Sequence, residues 1–103
     1  MIKNIKQKFQ YGEYEYSIHA LNQSIVKHIS NAEIREAMLN ESEILEDYPK
    51  DKYGPSCLVY AITGHGRHLH VLISYPTRPL IKIITVYEPD SELWNNYKIR
   101  KLP

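Results

Sequence analysis

Apolar residues recur at helical spacing up to about residue 40 and at every second position from Glu43 onward. A spacing of three or four residues places apolar side chains on one side of a helix, whereas alternation places them on one face of a strand. The first group, Ile2, Ile5 and Phe9, predicts a short helix that ends near Gly12. The pattern therefore predicts helices followed by a sheet.

Two further helices are predicted before the sheet begins. Ser17 can cap the second helix, which carries an apolar stripe made of Ile18, Leu21, Ile25 and Ile29. Ser30 and Glu33 have the spacing of a capping box, in which each side chain bonds the other residue's backbone N–H, so a third helix begins here. The apolar side of that helix consists of Ile34, Ala37 and Met38.

Four strands are predicted after the change of period, over residues 44–48, 56–63, 68–75 and 80–87. Their short connections imply antiparallel hairpins. After Pro89, Asp90 can cap a short C-terminal helix that holds Leu93 and Trp94 and is followed by the basic tail Lys98, Arg100 and Lys101. The predicted fold is α+β, with the N-terminal helices packed on one face of a four-stranded antiparallel sheet, and residues 1–103 form one domain.

The alternation also assigns side chains to the two faces of the sheet, provided that four-residue loops close the hairpins symmetrically. One face is then almost purely apolar and is the expected core, made of Leu58, Tyr60, Ile62, Leu69, Val71, Ile73, Ile84 and Val86. The other face carries two polar rows, Thr63 beside His68 beside Tyr87 and Ala61 beside His70 beside Thr85. Its far end is apolar, at Val59, Leu72 and Ile83.

The two histidines of this second face are the main candidates for chemistry. Histidine has the unperturbed pKa nearest to physiological pH, so His68 and His70 could serve general acid-base catalysis or bind a metal. A sheet face that needs only solubility more often carries lysine, glutamate and threonine. That favours a functional site at His70 and leaves an ordinary polar face as the alternative for His68.

Two other segments hold candidate residues. His19 lies at the start of the second helix, where the positive end of the helix dipole lowers an imidazole pKa and favours a bound anion. In the charged loop 46–55, Lys52 or Tyr53 could contact a phosphate or a base. The alternative is that this loop is a solvated connection between strands.

Composition excludes several function classes. The chain has 103 residues and a net charge of +1, which predicts no strong electrostatic attraction to nucleic acid or to an acidic membrane. Its single cysteine, Cys57, excludes an intrachain disulfide framework and a cysteine-rich zinc site. No apolar run approaches the length of a membrane span, so we expect a cytoplasmic protein without a membrane contact.

Several short motifs, in this order and spacing, resemble a family of small bacterial and archaeal proteins of unknown function. That family is abundant in cyanobacteria and allied to the RelE, BrnT and MqsR-like ribonuclease toxins. The matching segments are Ser17-Ile18-His19-Ala20, Lys27-His28-Ile29-Ser30 with Glu33-Ile34, Glu46-Asp47-Tyr48-Pro49, Lys52-Tyr53-Gly54-Pro55-Ser56-Cys57-Leu58, His70-Val71, and Ile84-Thr85-Val86-Tyr87-Glu88-Pro89 with Trp94.

The resemblance implies a RelE-like fold and toxin-like RNA cleavage. It also implies a small antitoxin-like partner, often one with a zinc-finger segment, and the apolar residues Val59, Leu72 and Ile83 would suit such a partner. Similar proteins often have arginine at the position of Lys27. A lysine lacks the planar fork that suits phosphate, which argues against a phosphate clamp there.

The predicted function is metal-independent RNA cleavage by a toxin-like endoribonuclease, with RNA and the antitoxin-like protein as partners and no cofactor. Such cleavage needs a base, an acid and cations or donors for the phosphorane. The predicted catalytic residues are His19, His70 and Tyr87. The predicted substrate-binding residues are Lys52, Tyr53, Arg67, His68 and Thr85.

Two alternatives remain open at this point. The first is a non-catalytic protein-binding module of the same fold, because a fold does not prove a function. The second is a metal-binding protein, in which His68 and His70 are two ligands and His19 or Asp47 completes the site.

Overall fold

Three helices and a mixed five-stranded sheet make up most of residues 1–102, the part of the chain that the computed structural model describes. The elements are α1 (Ile2–Gln10), β1 (Tyr14–Tyr16), α2 (Ile18–Val26), α3 (Asn31–Leu39), β2 (Glu41–Tyr48), β3 (Ser56–Ile62), β4 (His68–Ser74), β5 (Ile81–Tyr87), β6 (Trp94–Asn95) and β7 (Ile99–Arg100). The order in the large sheet is β1-β5-β4-β3-β2. None of the described helices is both long and apolar enough to span a bilayer.

The predicted helix starts are confirmed. The Ser17 hydroxyl accepts a hydrogen bond from the Ala20 backbone N–H at 3.0 Å and so caps α2. Ser30 and Glu33 form both halves of the capping box at α3. The apolar side of α3, Ile34, Ala37 and Met38, is buried as predicted.

The apolar stripe of α2 does not face the core as such stripes usually do. Ala20 is the residue through which α2 reaches the core, whereas Ile18 is 81% exposed and Leu21 and Ile25 also lie on the surface. Only Ile29, beyond the end of the helix, is buried. The α2 helix therefore packs on the core through one small residue, and its larger apolar side chains face solvent.

The sheet has five strands rather than the predicted four, and it is mixed rather than antiparallel. The additional strand is β1, which pairs in parallel with β5. The three remaining pairings, β2–β3, β3–β4 and β4–β5, are antiparallel as predicted. A three-residue strand such as β1 is too short to show a period, and its partner lies far away in sequence.

The register of the β3–β4 hairpin is one residue away from the predicted one. The Thr63 N–H bonds the Arg67 carbonyl at 2.9 Å, and Gly66 has a φ of 81°. The hairpin therefore closes with three residues and a left-handed glycine, not with four residues. Because side chains alternate along a strand, this shift moves every side chain of β3 to the opposite face relative to β4.

This shift corrects the predicted faces. The core face beneath the helices holds Cys57, Val59, Ala61, Leu69, Val71, Ile73, Ile83 and Val86, all fully buried. Leu58, Tyr60 and Ile62 were predicted for this face but lie on the other one, opposite Leu72, His70 and His68. The pairing of β5 shifts between Leu72 and Ile73, which leaves Ile84 off the core face as well.

The predicted C-terminal helix is wrong. Asp90 does start a single turn, since its carbonyl accepts from the Trp94 N–H at 3.0 Å, but the chain then reverses into the β6–β7 hairpin. At the tip of that hairpin Asn96 and Tyr97 have φ values of 51° and 65°. Two successive left-handed residues form a tight hairpin turn and cannot continue a helix.

Candidate functional site

The second face of the sheet lies under the C-terminal hairpin rather than open to solvent. We call residues 94–100 the C-terminal cover. Beneath it, Tyr60, His70 and Tyr87 stand in one row across β3, β4 and β5. His70 is 0% exposed. The prediction that His70 faces away from the helices is right, but the prediction that this face is open is wrong at this end.

The hydrogen bonds of His70 define which of its nitrogens carries the proton. Its Nε2 contacts the backbone carbonyl oxygen of Tyr97, and its Nδ1 lies 3.1 Å from the hydroxyl oxygen of Tyr87. A carbonyl can only accept a hydrogen bond, so Nε2 donates its proton there. In the neutral ring Nδ1 is then the acceptor, and the Tyr87 hydroxyl donates to it.

Burial keeps this pair neutral. It lowers the pKa of His70, an effect that the Tyr97 carbonyl partly offsets. It also raises the pKa of the Tyr87 hydroxyl, although Arg100 acts in the opposite direction. At neutral pH the Nδ1 nitrogen of His70 is therefore unprotonated and accepts a hydrogen bond from Tyr87, which holds its proton.

His70 is enclosed by aromatic rings. The Trp94 ring meets it edge to face with centroids 4.4 Å apart, and the Tyr87 ring lies 5.2 Å away at 64°. Such edge contacts favour one ring orientation over others. The imidazole is thus held in place by both its hydrogen bonds and its ring neighbours.

His68 belongs to the same face but has a different environment. Its Nδ1 lies 2.7 Å from the Tyr60 hydroxyl, and its ring stacks on Tyr97 with centroids 3.7 Å apart. Tyr97 therefore contacts both histidines, one through its ring and one through its carbonyl. Its left-handed backbone, which costs about 1 kcal/mol or more in a non-glycine residue, is held by these two contacts.

A carboxylate and an arginine flank the histidine row. Arg100 binds Glu46 through two nitrogens, at 2.8 and 3.1 Å, and lies over the Trp94 ring at 4.7 Å. The Tyr48 hydroxyl also donates to Glu46. Chiefly because of Arg100, the pKa of Glu46 lies below its ordinary value. This ion pair ties the end of the C-terminal cover to β2.

Tyr87 reaches solvent through a pocket of about 370 Å³ beside the C-terminal cover. The pocket has Tyr87 and Trp94 as its aromatic walls. Its charged lining consists of Lys27, Glu88, Asp90, Arg100 and Lys101. Arg100 is bound to Glu46 and Glu88 to Arg67, so Lys27, Lys101 and Asp90 are the charged lining residues without an ion-pair partner within residues 1–102.

The structure does not bring the other predicted catalytic residue, His19, to this site. His19 is exposed on α2. No hydrogen bond or ring contact within residues 1–102 joins it to His70 or Tyr87. Its role as an acid or base stays a prediction without geometric support.

The guanidinium group of Arg67 is held by backbone carbonyls and carboxylates of the protein itself. One terminal nitrogen donates to the His28 carbonyl at 2.8 Å and to Glu33 at 3.2 Å. The other donates to the Lys27 carbonyl and to Glu88, both at 2.9 Å. Both nitrogens that would grip a phosphate are therefore already bonded, and Arg67 ties the α2–α3 connection to the end of β5.

Three predicted substrate-binding residues lie away from the histidine row. Thr85 stands opposite Leu72, not opposite His70 as predicted. Tyr53 is 87% exposed in the β2–β3 loop, and the Lys52 ammonium lies over its ring at 4.9 Å. Tyr87, which was predicted beside His68, instead pairs with His70.

Two expectations about ligands and partners lose their structural basis. Val59 and Ile83 were expected on an exposed half-apolar face but are fully buried in the core. The described residues contain no group of three or more histidine, cysteine, aspartate or glutamate side chains arranged for a metal ion. The nitrogens of His70 are both engaged with protein partners.

The contacts of the C-terminal cover with His70 and His68 are not predicted by the sequence pattern. Trp94 was assigned to a helix, Arg100 to a basic tail, and Tyr97 to neither. The available signal was the aromatic and basic content of residues 94–101 next to an otherwise uncovered sheet face. Alternation cannot reveal it, because the two strands of this hairpin have two residues each.

A family model described as a domain of unknown function, DUF4258, matches residues 16–88. The matched region contains His70, Tyr87 and Glu46, whereas the C-terminal cover lies beyond it. No curated protein and no solved structure matches the chain significantly.

Proposed function

This chain belongs to the DUF4258 family, and we propose that it is a toxin-like endoribonuclease that cleaves RNA without a metal ion. The observation that carries the proposal is the hydrogen-bond chain from the Tyr87 hydroxyl through His70 to the Tyr97 carbonyl. It links the hydroxyl of Tyr87, a residue that lines a surface pocket, to a buried neutral base. The α+β fold, with helices on one face and this pair on the other, supports a RelE-like relationship.

The proposed chemistry starts with the ribose 2'-hydroxyl in the pocket at Tyr87. Tyr87 takes the proton of that hydroxyl as it passes its own proton to Nδ1 of His70. The 2'-oxygen then attacks the adjacent phosphorus to form a 2',3'-cyclic phosphate, the P–O5' bond breaks, and the 5'-oxygen takes a proton from the ammonium group of Lys27 or Lys101 in the same pocket. The Tyr97 carbonyl, which already accepts from Nε2, stabilises the imidazolium that forms.

The phosphate is proposed to lie among the cations that line the same pocket. Lys27 and Lys101 have no ion-pair partner within residues 1–102, and Arg100 is bound to Glu46. Positioned cations stabilise the negative charge that develops on the phosphorane. Lys27 supplies charge here without the planar fork of an arginine.

Cleavage of single-stranded RNA in the presence of EDTA tests the proposal. We expect Tyr87→Phe and His70→Gln to lower the rate by about a hundredfold or more, the usual scale for one acid-base group. Tyr14→Phe is the matched control, because it also removes a bonded hydroxyl but one that donates to Asn31 outside the site.

Circular dichroism and thermal melting must show that the variants are folded. A folded Tyr87→Phe protein that cleaves as fast as the parent would exclude the Tyr87–His70 pair as the proton-transfer group. Absence of cleavage by the parent protein, toward structured and unstructured RNA alike, would contradict the function itself.

The second candidate function is a non-catalytic protein-binding module, and the surface of α2 favours it. The helix contains no charged residue, and Ile18, Leu21, Ile25 and Val26 are all exposed. A contiguous uncharged apolar stripe is more typical of a protein interface than of a free surface. It replaces the buried residues Val59 and Ile83 as the proposed contact for a small antitoxin-like partner.

The mass of the endogenous protein in solution distinguishes this second candidate. We expect a complex with a small protein that Leu21→Glu or Ile25→Glu disrupts, whereas Glu36→Gln on α3 leaves it intact. A free monomer at every salt concentration would contradict a partner at α2.

A further inference from the structure

A second pocket lies on the same sheet face as Tyr87, at the opposite end and outside the C-terminal cover. Its volume is about 370 Å³. Leu72 and Ile84 form an apolar floor, Tyr53 and Tyr75 contribute aromatic rings, and Arg78 and Lys82 contribute cations. An apolar floor with a few convergent polar groups is the usual composition of a ligand site.

The loop that forms one wall of this pocket is held in place by the protein itself. The Gly54 N–H donates to the Asp51 carbonyl at 2.9 Å, and the Tyr75 N–H donates to the Pro55 carbonyl at 3.1 Å. Gly54 has a φ of 112°, which glycine adopts readily and other residues do not. This turn presents the Tyr53 ring to the pocket while leaving it 87% exposed.

The cations of this pocket have no close ion pair, unlike three of the cations near the histidines. Arg67, Lys98 and Arg100 each bind a carboxylate at 3.2 Å or less. Lys82 has only a loose contact with Glu15 at 3.8 Å, and Arg78 forms no ion pair within residues 1–102. The one carboxylate in the lining, Asp51, is bonded to Tyr53 N–H and the Ser56 hydroxyl. The pocket is therefore suited to an anion.

We infer that this pocket binds one nucleotide of single-stranded RNA, with the base against Tyr53 and the phosphate between Arg78 and Lys82. The inference rests on the proposed function, which it extends from a cleavage site to a second subsite. Ile84 lines this pocket and Tyr87 lines the other, and the two residues are about 10 Å apart along β5. An extended strand of RNA could occupy both.

Binding of a fluorescein-labelled single-stranded RNA, followed by anisotropy in EDTA, tests the inference. Loss of one base–aromatic contact of about 1–3 kcal/mol predicts that Tyr53→Ala weakens binding about 5- to 150-fold. Arg78→Gln removes a phosphate contact, so it should weaken binding several-fold and reduce the salt dependence by about 0.7 in the log–log slope.

Two matched controls separate this pocket from general charge and surface effects. Lys3→Gln removes an exposed cation from α1, and Tyr11→Ala removes an exposed tyrosine after that helix. Neither residue lines the pocket, and both variants should bind RNA as the parent does. Equal weakening by the control and pocket variants would overturn the inference, as would unchanged binding by folded Tyr53→Ala and Arg78→Gln proteins.

Two further measurements complete the test: binding of a mononucleotide, and RNA binding by protein that does not cleave RNA. Binding of adenosine monophosphate without binding of the RNA strand would overturn the strand subsite. If that binding depends on Tyr53 and Arg78 but no variant or parent cleaves RNA, the subsite stands and the endoribonuclease proposal falls.

Discussion

The two faces of the sheet are covered by different kinds of contact. Helices cover one face through fully buried aliphatic side chains such as Val71 and Ile73. The C-terminal cover protects part of the other face through ring contacts, a bidentate ion pair and a backbone carbonyl. Aliphatic packing stabilises without orienting particular atoms, whereas the polar contacts orient His70 and can open locally.

The strongest test of this contrast compares two neighbouring residues of β4. Ile73 is fully buried under the helices, and Leu72 is half-buried on the second face. We expect Ile73→Ala to lower the free energy of unfolding by about 2–5 kcal/mol, through lost transfer energy and a cavity. Leu72→Ala should cost clearly less in the same urea titration. Equal losses would mean that the second face is packed as a core.

The next effect concerns the attachment of the C-terminal cover. Trp94→Ala removes the ring that meets His70 edge to face. Such a contact is worth about 0.5–1.5 kcal/mol beyond burial, so its loss alone should accelerate amide exchange of residues 94–100 about 2- to 13-fold. Exchange in β4 should change less. A uniform acceleration over both segments would show that the cover is part of the global folding unit.

Near neutral pH, we expect His70 to make the free energy of unfolding depend on pH. This effect should be smaller than the two above because a single group titrates. Burial lowers its pKa in the folded protein below the ordinary value of about 6.5. As pH falls below that value, the unfolded chain takes up the proton before the folded chain does. The free energy of unfolding therefore falls with falling pH until the folded pKa is reached.

Urea midpoints between pH 7.5 and pH 5.5 measure this slope. His70→Gln should flatten it. The same slope in the parent and in His70→Gln would assign the pH dependence to other groups.

The smallest expected effect belongs to the ion pairs of the cover. Arg100→Gln removes two bonds to Glu46, and Lys98→Gln removes one contact of 3.0 Å to Glu43. Both cations are largely exposed, so each loss should be within about 0.2–1 kcal/mol and should shrink in high salt. Arg100 should have the larger effect because its contact is bidentate. A loss well above this range would mean that the pair is shielded from solvent.

Much of the fold could be predicted because its signals are local. The capping box at Ser30 and Glu33 and the alternation of residues 56–87 depend on near neighbours, and both are confirmed. The site was predicted only in part. His70 and Tyr87 were both identified, yet their direct pairing was missed because β4 and β5 pair two residues away from the predicted register, which placed Thr85 opposite His70.

The sequence by itself determined the order of helices and strands and the separation of His70 from the aliphatic face. Spacing and alternation suffice for these features, since they follow from helix and strand geometry. Only the tertiary structure decided the register, the parallel pairing of β1 and the burial of His70 by the C-terminal cover. These depend on contacts between residues far apart in sequence, whose pairing a local pattern does not specify.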